Sequence, residues 1–417
     1  MANALETFVS SLHNNVILRD NDGKPSIFVK HPKVNSSFFH DSLPNEPHPA
    51  FKCGNEVDDG VLIAKYAASE LVPGGTLYSL PNAVPCSPTY GSVTDWSYSI
   101  MCNRASSFPE AVAMTIADYG LYVLTSQKNG YLIAHGNNNK GNDTNNGKVS
   151  TIFNTGVSVT AGKMVLYLGW VYECLITHTT SNLLLPSNTP SHWRSTGIKL
   201  GGTVGWTNQY NYTKTLTGSG PLNWYLYNDI NNEADMTGNV RTFLRGFRLL
   251  KGEIQIVPNA NDPSVDCTET STEWKAILPH NSDNGYDFVA PGTAGTVHYL
   301  WINNQVTLAG RAANDDAELP GQRECEFYDI KTDITSLPYV PYILYELGLA
   351  PLNVSSNQKV SSKYIIQLNK NNTLTYGVFG NTPYGDDPTV ACLYTFVGYN
   401  DGMIPHGVRQ RARLKAQ

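Results

Sequence analysis

The stretch from Thr215 to Ile256 reads TLTGSGPLNWYLYNDINNEADMTGNVRTFLRGFRLLKGEIQI. It combines an Asn- and Gly-rich loop, the compact run Asp235–Val240, and a β-type run that follows Lys251-Gly252. Glycine tolerates positive φ, and Asn and Asp side chains bond neighbouring backbone amides. The stretch therefore predicts two sharp turns followed by a strand, and by itself it assigns no function.

The composition favours loop-rich β structure over helical bundles. Of the 417 residues 41% are apolar and only 15% are charged, whereas Gly, Pro, Tyr and Asn are plentiful. The length favours two or three domains, or one large domain with insertions. The 24 tyrosines suit both a core and a recognition surface.

The charge distribution argues against nucleic acid as the main partner. The formal net charge is −6, yet the last nine residues contain four basic side chains, so the rest of the chain carries −10. The first residues lack a basic region followed by an apolar one, and no run of about 18 apolar residues occurs. We expect synthesis in the cytoplasm without membrane insertion, and any extracellular role through release of a particle.

The cysteine pattern predicts free thiols. The seven cysteines include no C-x-x-C pair, and their number is odd, which fits free thiols better than a disulfide framework or a zinc site. They are Cys53, Cys86, Cys102, Cys174, Cys267, Cys325 and Cys392.

Periodicity predicts the order of the main elements. We expect a short amphipathic helix through Leu5 and Leu12, a hairpin over residues 16–34 with its turn at Asp20–Gly23, and a buried strand at Val61–Tyr66. Further along, the predicted elements are a helical region (97–131), a surface loop (136–147), a β-rich region (258–333) and a helix (339–349).

Catalytic motifs are weak. The sequence has no phosphate loop, no G-x-S-x-G elbow and no H-E-x-x-H helix. Gly218-Ser219-Gly220 fits a plain turn better than an activated serine. Three histidines could hold a metal, but their spacing on a Pro-rich loop favours surface or capping roles. They are His31, His40 and His48.

Two further charged patterns have competing interpretations. Three Asp pairs could act in glycosidic cleavage, but their Gly/Asn-rich surroundings favour turns or a loose calcium site. These pairs are Asp58-Asp59, Asp315-Asp316 and Asp386-Asp387. Near the C-terminus, alternating basic residues occupy one face of a strand, which favours a solvated strand or a subunit contact over an anion-binding tail. The basic residues are Arg409, Arg411, Arg413 and Lys415.

Blocks of sequence in a consistent order carry a family resemblance. The opening stretch contains Gly218–Pro221, Asp235–Val240, Gly246–Leu249 and Gly252–Ile256. Upstream blocks are Ser42–Phe51, Ile63–Tyr66, Met114–Tyr119 and Gly136–Gly141, and downstream blocks are Tyr376–Gly380 and Gly407–Arg409. Over roughly residues 16 to 414, the chain resembles the C-type-lectin-like domains of phage and retroelement-diversified variable proteins, which are related in fold to formylglycine-generating enzyme.

The resemblance implies an α+β, C-type-lectin-like (formylglycine-generating-enzyme-like) fold that is loop-rich and has a β-rich insertion. We expect an N-terminal helix and arm at residues 1–24, and the lectin-like domain at residues 25–417 with the insertion at about 258–335.

Departures from the family pattern predict that the catalytic apparatus is absent. Enzyme relatives have Trp-Glu-Trp after Gly-Asn-Val, and the Glu helps to hold calcium near the residue matching Asn239; here Arg241-Thr242-Phe243 follows. The copper-binding branch needs two close cysteines, whereas this region offers only Cys392. The iron site of the sulfoxide synthases has no matching His cluster. We therefore expect no cofactor, with calcium as the one ion that the resemblance would allow.

The resemblance places the ligand-binding surface in the closing segment, residues 376–409. Tyr and Asn supply large contact area at low entropy cost and adaptable hydrogen bonding. The candidate ligand-binding residues are Asn381, Tyr384, Asp386, Asp387, Tyr394, Phe396, Tyr399, Asn400 and Met403. Tyr394 and Phe396 alternate with Leu393 and Val397, so they could instead be core or subunit-interface residues.

The expected function is that of a non-enzymatic phage virion protein. It would be a receptor-binding adhesin at a tail-fibre tip or particle surface, made in the host cytoplasm and located in the virion. Its partners would be a bacterial surface receptor, protein or glycan, and other virion proteins, in a homo-oligomer that could be a trimer. The alternative is a structural decoration, collar or baseplate protein that makes only protein–protein contacts. A degenerate oxidase is a third class, which would require bound copper or iron.

Overall fold

The computed structural model describes residues 4–71, 75–86, 98–129, 151–168, 170–205, 211–220, 222–310, 316–354, 363–371, 374–379, 393–397 and 406–415. The predicted loop at 136–147 lies outside these ranges. The α-helices are α1 (Ala4–Ser10), α2 (Tyr98–Ala105), α3 (Ile116–Asn129) and α4 (Tyr342–Glu346). Short 3-10 helices cover Ser36–Phe38, Pro49–Phe51, Leu222–Trp224, Leu226–Asn228, Asp316–Glu318 and Phe327–Asp329.

Strands provide most of the regular structure. In the first half they are β1 (Asn15–Arg19), β2 (Pro25–Pro32), β3 (Lys52–Cys53), β4 (Glu56–Val57), β5 (Gly60–Ala64), β6 (Ser69–Glu70), β7 (Leu77–Tyr78), β8 (Ala111–Ala113), β9 (Thr151–Ile152), β10 (Ser158–Val159), β11 (Met164–Tyr167), β12 (Trp170–Cys174), β13 (His178–Thr179), β14 (Trp193–Gly205) and β15 (Asn211–Thr215). In the second half they are β16 (Arg241–Leu250), β17 (Glu253–Ile256), β18 (Lys275–Pro279), β19 (Tyr286–Val289), β20 (Val297–Ile302), β21 (Gln305–Gly310), β22 (Pro320–Glu326), β23 (Lys331–Thr332), β24 (Lys363–Asn369), β25 (Thr375–Phe379), β26 (Leu393–Val397), β27 (His406–Gly407) and β28 (Gln410–Leu414).

A five-stranded sheet, the terminal sheet, joins the two ends of the described chain in the order β1-β2-β5-β28-β8. The hairpin β1–β2 closes at Asp20, whose Oδ1 accepts hydrogen bonds from the amides of Asp22 and Lys24. All five residues of β5 are buried, because β2 and β28 flank this strand. The predicted hairpin and buried strand are confirmed.

The large sheet contains twelve strands, nine of them in the order β22-β24-β26-β25-β16-β17-β20-β21-β23. Its hairpin β16–β17 turns at Lys251 (φ 51°) and Gly252 (φ 80°). Positive φ at both central residues is typical of a type I′ turn, whose twist matches that of the two strands it joins. The turn predicted at this position and the strand that follows it are confirmed.

The segment after β17 extends the same sheet. Strands β18 to β23 fall within residues 275–332, so the strand content predicted for 258–333 is confirmed. They pair with β17 or with one another, except that β22 pairs with β24. Whether this region is an insertion stays a prediction, as do the domain limits, and the hairpin β1–β2 spans the predicted limit after residue 24.

Helix α3 packs between the terminal sheet and the large sheet. One hydrophobic cluster contains Tyr119 and Val123 of α3, Ile63 of β5, and Leu244 and Phe247 of β16. The predicted helices near the N-terminus and at 339–349 are confirmed as α1 and α4, and the helical region at 97–131 divides into α2, β8 and α3.

A third sheet, the satellite sheet, has the order β15-β14-β12-β11-β9. It has its own small core around Val165, Cys174 and Trp193. Val171 of β12 packs against Trp224, which belongs to the opening stretch. The fold is thus mixed α and β, strand-rich and loop-rich, as predicted at that level. Within the described ranges, no helix has the length and apolar character needed to cross a membrane.

Replacing Gly120 with Ala is expected to destabilise the protein strongly. A Cβ at Gly120 would overlap the backbone oxygen of Glu346 and lie 2.6 Å from Leu347 Cα. Such overpacking costs about 3 kcal/mol, more than the ~1 kcal/mol of helix propensity that Ala gains. Gly23→Ala is the control, because its Cβ meets nothing within 4 Å and only the positive φ costs about 1 kcal/mol. The measurement is the free energy of unfolding in urea. If Gly120→Ala and Gly23→Ala lose equal amounts, then α3 does not pack closely against the end of α4 at Gly120.

Candidate functional site

The closing segment passes through the interior of the large sheet. Of its predicted binding residues, Asn381, Tyr384, Asp386, Asp387, Tyr399, Asn400 and Met403 lie outside the described residues. Tyr394 and Phe396 lie on β26, which runs between β24 and β25. In the register with β25 they stand opposite Val378 and Tyr376, and both of these partners are buried. Strand β26 is thus an interior strand of the sheet, and the role of Tyr394 and Phe396 stays a prediction.

The closing segment contains three described strands, β25, β26 and β27, which we call its stems and which pair with other strands of the large sheet. All five residues of β25 are buried, and Phe379, at the end of this strand, pairs directly with Leu393, at the start of β26. The last stem, β27, pairs in parallel with the start of β16 and leads into β28.

Three arginines around β28, Arg409, Arg411 and Arg413, are here called the arginine row, and they fix that strand to four other parts of the chain. Arg409 is fully buried, and its Nη1 donates to the carbonyls of Ala64 and Lys65 at 2.6 and 2.8 Å. Its Nη2 donates to the carbonyl of Ala234 at 2.7 Å. Burial lowers the pKa of Arg409, although attraction to Glu233 and other acidic groups opposes this shift.

The other two arginines use carboxylates as well as carbonyls. Arg411 is fully buried, with its Nε 3.0 Å from Asp118, and it also donates to the carbonyls of Asn261 and Ala50. Arg413 binds both oxygens of Asp58 and also Glu56. The hydrogen bond to Asp58 raises the pKa of Arg413.

The interpretation of these arginines as a solvated strand or subunit contact is therefore wrong. The alternation was correct, since all three side chains bind partners on one side of β28, while Ala412 packs in the apolar cluster of the other side. The partners of these arginines are backbone carbonyls and carboxylates that lie far away in the sequence. The alternation of residues 409–415 therefore contains no signal that would predict them. Lys415 is exposed.

The predicted capping role is confirmed for His48, whereas His31 is neither a surface nor a capping residue, since it pairs with the buried Glu233. His48 caps the 3-10 helix at Pro49–Phe51 by accepting from the amide of Ala50, as predicted, but it is buried and not on the surface. Burial lowers the pKa of His48 to about 3. His40 bonds only Ser42 nearby.

The first Asp pair is divided between two roles. Asp58 is buried against Arg413, which corrects its interpretation as a turn former, and Asp59 lies 3.6 Å from Lys33. Asp315 and the third pair lie outside the described residues.

The other local predictions agree with the structure. Gly218-Ser219-Gly220 lies in a turn in which the amide of Ser219 donates to the carbonyl of Leu216. The six cysteines in the described ranges are free thiols, as predicted. Burial raises the pKa of Cys102 to about 12 and that of Cys267 to about 11.

Glu233, which belongs to the opening stretch, is the centre of a buried acid–base cluster. Glu233 is fully buried, and its Oε1 accepts hydrogen bonds from the Tyr122 hydroxyl at 2.7 Å and from His31 Nε2 at 2.6 Å. Burial favours the neutral form of both groups, but their mutual attraction and hydrogen bond outweigh it. The pKa of His31 is therefore raised, and that of Glu233 is lowered.

Asp235, two residues after Glu233, is a second buried carboxyl group of the opening stretch. It has positive φ and is buried, and its Oδ2 accepts a hydrogen bond from the amide of Gly218 at 2.9 Å. Burial raises the pKa of Asp235 to about 6, although Gly218 and Arg409 act in the opposite direction. The run Asp235–Val240 is thus a buried turn that ties two parts of the opening stretch together.

A cavity of about 190 Å³ lies between residues 44–54, the start of α3, the chain after β17, and the elements β19 and α4. Its floor includes the buried side chains of Ile256 and Leu347. Exposed residues, including Glu46, Asn259 and Phe288, form its rim. This volume exceeds the roughly 150 Å³ of engineered apolar cavities that hold a benzene-sized molecule.

One side of the cavity is aromatic. We call Tyr286, Phe288 and Tyr342 the aromatic wall: the Tyr286 ring lies 5.0 Å from Phe288 and 5.3 Å from Tyr342, both edge-on. Burial raises the pKa of both Tyr286 and Tyr342.

Glu346 places a carboxyl group at the cavity. Its side chain is 4% exposed, and Oε1 accepts a hydrogen bond from the Ser36 hydroxyl. Burial raises the pKa of Glu346 to about 7, while Ser36 and Lys52 act to lower it. Perturbed carboxyl groups beside a cavity are typical of binding and catalytic sites.

Neither of the two buried glutamates, Glu233 and Glu346, is predicted by the sequence patterns described above. Glu346 is the only charged residue between Val340 and Ala350, and a single charge in an apolar run is a usable signal for a buried carboxyl group. Glu233 follows the polar run Asp229–Asn232 and has no comparable signal.

No described cluster of three or more His, Cys, Asp or Glu side chains is placed to hold a metal ion. Comparison with known proteins adds no assignment: no protein-family model matches the chain, and a search of curated proteins finds no significant match.

Loss of the Arg411 guanidinium is expected to destabilise the protein by about 3–5 kcal/mol, because Asp118 would be left as a buried, uncompensated charge. Arg19→Gln is the matched control for Arg411→Gln. It breaks a pair with Glu6 in which both side chains are 39% exposed, and should cost about 1 kcal/mol or less. The measurement is urea unfolding, and a similar loss in the two variants would refute the anchoring role of Arg411.

The His31–Glu233 pair predicts a decrease in stability as pH rises above 6.5, the ordinary pKa of histidine. The folded pKa of His31 lies above its ordinary 6.5, so its stabilisation is complete below that pH and is lost as pH rises through the folded value. The folded pKa of Glu233 lies below its ordinary 4.5, so its contribution is present above that pH and is lost as pH falls through the folded value. The pair thus stabilises most between these two ordinary values.

Urea unfolding across this pH range tests the pair. We expect His31→Gln to abolish the decrease in the free energy of unfolding as pH rises above 6.5. His40→Gln should retain this decrease, because the His40 side chain is hydrogen-bonded to Ser42 and not to a buried carboxylate. If the free energy of unfolding of His31→Gln decreases above pH 6.5 as it does in the wild type, another titrating group causes the decrease.

Proposed function

We propose that the chain is a non-enzymatic phage virion protein with a C-type-lectin-like fold, acting as an adhesin at a tail-fibre tip or particle surface. The closing segment would bind a bacterial surface receptor, protein or glycan. The observation that carries this proposal is the anchoring of that segment: its strands lie inside the large sheet, and its end continues into the arginine row.

Rigid stems support a binding role because they reduce the entropy lost on binding. Phe379 and Leu393, which flank residues 380–392 in the sequence, are paired in the large sheet before any ligand arrives. Preorganisation of this kind strengthens binding without additional contacts. Several copies in a homo-oligomer, for example a trimer, would multiply weak individual affinities on a particle.

The state of the thiols supports a role other than catalysis. A thiolate is the form that attacks substrates and binds metals. Burial raises the pKa of five cysteines in the described ranges, which keeps those thiols protonated at neutral pH. We propose accordingly that the protein uses no cofactor.

The second candidate is a structural decoration, collar or baseplate protein. Exposed apolar side chains on the satellite sheet and its loops favour it, because such residues often mark protein–protein contacts. They are Val157, Leu168, Trp170, Leu175, Ile176 and Leu183. In either case the protein would be located in the virion, and other virion proteins would be its partners.

The adhesin proposal predicts that the double variant Tyr384→Ala/Tyr399→Ala binds bacterial cells at least about tenfold more weakly than the wild type, because aromatic residues dominate binding energy. Tyr394 is left intact because β26 is an interior strand. Tyr339→Ala, which removes an exposed tyrosine outside the closing segment, is the matched control. Binding of labelled protein to a panel of bacterial strains is the measurement.

Equal binding by the double variant and the control would exclude the closing segment as the receptor site. Electron microscopy of the particle separates the two candidates, because an adhesin must lie at an exposed tip, whereas a collar or decoration protein lies elsewhere on the particle.

A further inference from the structure

The cavity beside Glu346 has an unbalanced charge. Lys52 Nζ lies 2.9 Å from Glu46 Oε2 at the rim, so these two charges compensate each other. Glu346 has no ion-pair partner within the described parts of the chain, and it is buried. Ionisation of Glu346 therefore leaves the cavity with a net negative charge, which favours a cation and disfavours an anion.

The polar groups around the cavity are largely committed to one another. The side-chain amide of Asn261 donates to the carbonyls of Pro49 and Lys52, and its oxygen accepts from the Thr115 hydroxyl. Lys52 and Glu46 are paired with each other, and the Glu346 carboxyl accepts a hydrogen bond from the Ser36 hydroxyl. A sugar or another polyhydroxylated ligand would find few free partners for its hydroxyls.

What remains is an aromatic surface, an apolar floor and one buried carboxylate. Aromatic faces attract cations, most strongly those that carry little hydration. A quaternary ammonium group donates no hydrogen bonds, so it needs none of the committed polar groups. Its methyl groups can contact the wall and the floor, while its charge compensates Glu346.

We propose that this cavity binds a small quaternary ammonium ion, with the cationic group between Glu346 and the aromatic wall. The site is separate from the closing segment, so this proposal does not depend on the adhesin proposal. The ligand could be a free molecule or the headgroup of a lipid, and the shared chemistry is the methylated ammonium.

The binding should depend on pH through Glu346. Lys52 and Glu46 are the charged groups that line the cavity with it, and the nearby His48 is neutral because burial lowers its pKa to about 3. The pKa of Glu346 is raised to about 7, so the carboxylate needed by a cation becomes more populated as pH rises from about 6 to about 8.

Isothermal titration calorimetry of the full chain with choline tests the proposal, with 3,3-dimethyl-1-butanol as the neutral ligand of the same shape. We expect saturable choline binding that strengthens as pH rises, and at least about tenfold weaker binding of the neutral analogue. Glu346→Gln should weaken choline binding about tenfold, and Phe288→Leu about threefold. Glu273→Gln, an exposed glutamate away from the cavity, should change nothing.

Each outcome decides the proposal. No choline binding up to about 10 mM, equal binding of the neutral analogue, or unchanged binding by Glu346→Gln would overturn it. Thermal unfolding of Glu346→Gln verifies that the variant is folded, which is expected because the change removes a buried charge. Sedimentation with phosphatidylcholine vesicles, and phosphatidylglycerol vesicles as control, identifies the source once choline binds: sedimentation that free choline inhibits indicates a lipid headgroup, and its absence indicates a free molecule.

Discussion

The need to satisfy buried guanidinium groups organises the terminal sheet and its surroundings. A buried arginine that lacked partners would cost several kcal/mol, so each member of the arginine row must be surrounded by acceptors. Arg409 and Arg411 obtain them mostly from backbone carbonyls that lie far away in the sequence. The last strand of the chain thereby fixes the positions of loops from its first and middle parts.

Arg411 also links this anchoring to the walls of the cavity. It donates to the carbonyls of Ala50 and Asn261, and Asn261 in turn holds the carbonyls of Pro49 and Lys52. These loops form one side of the cavity next to Glu346. The same contacts that stabilise the fold therefore define the shape of the candidate ligand site.

The protein combines two surfaces of different character. The closing segment includes the interior strands β25 and β26 of the large sheet, and we propose that it recognises a large partner. The cavity is small and has an aromatic side and a single buried carboxylate, so it selects for charge and size. Because the two surfaces involve different side chains, changes in one can be examined without altering the other.

The sequence by itself determined the local structure: the turn at Lys251-Gly252, the hairpin around Asp20, the buried strand β5 and the alternation of the arginines. These features follow from positive φ, side-chain-to-backbone bonding and a period of two, which neighbouring residues express. Only the tertiary structure decided that the arginines are buried and that Glu233 pairs with His31. Burial and pairing depend on which distant segments meet, because a charged side chain can leave water only where remote acceptors or counter-charges replace it.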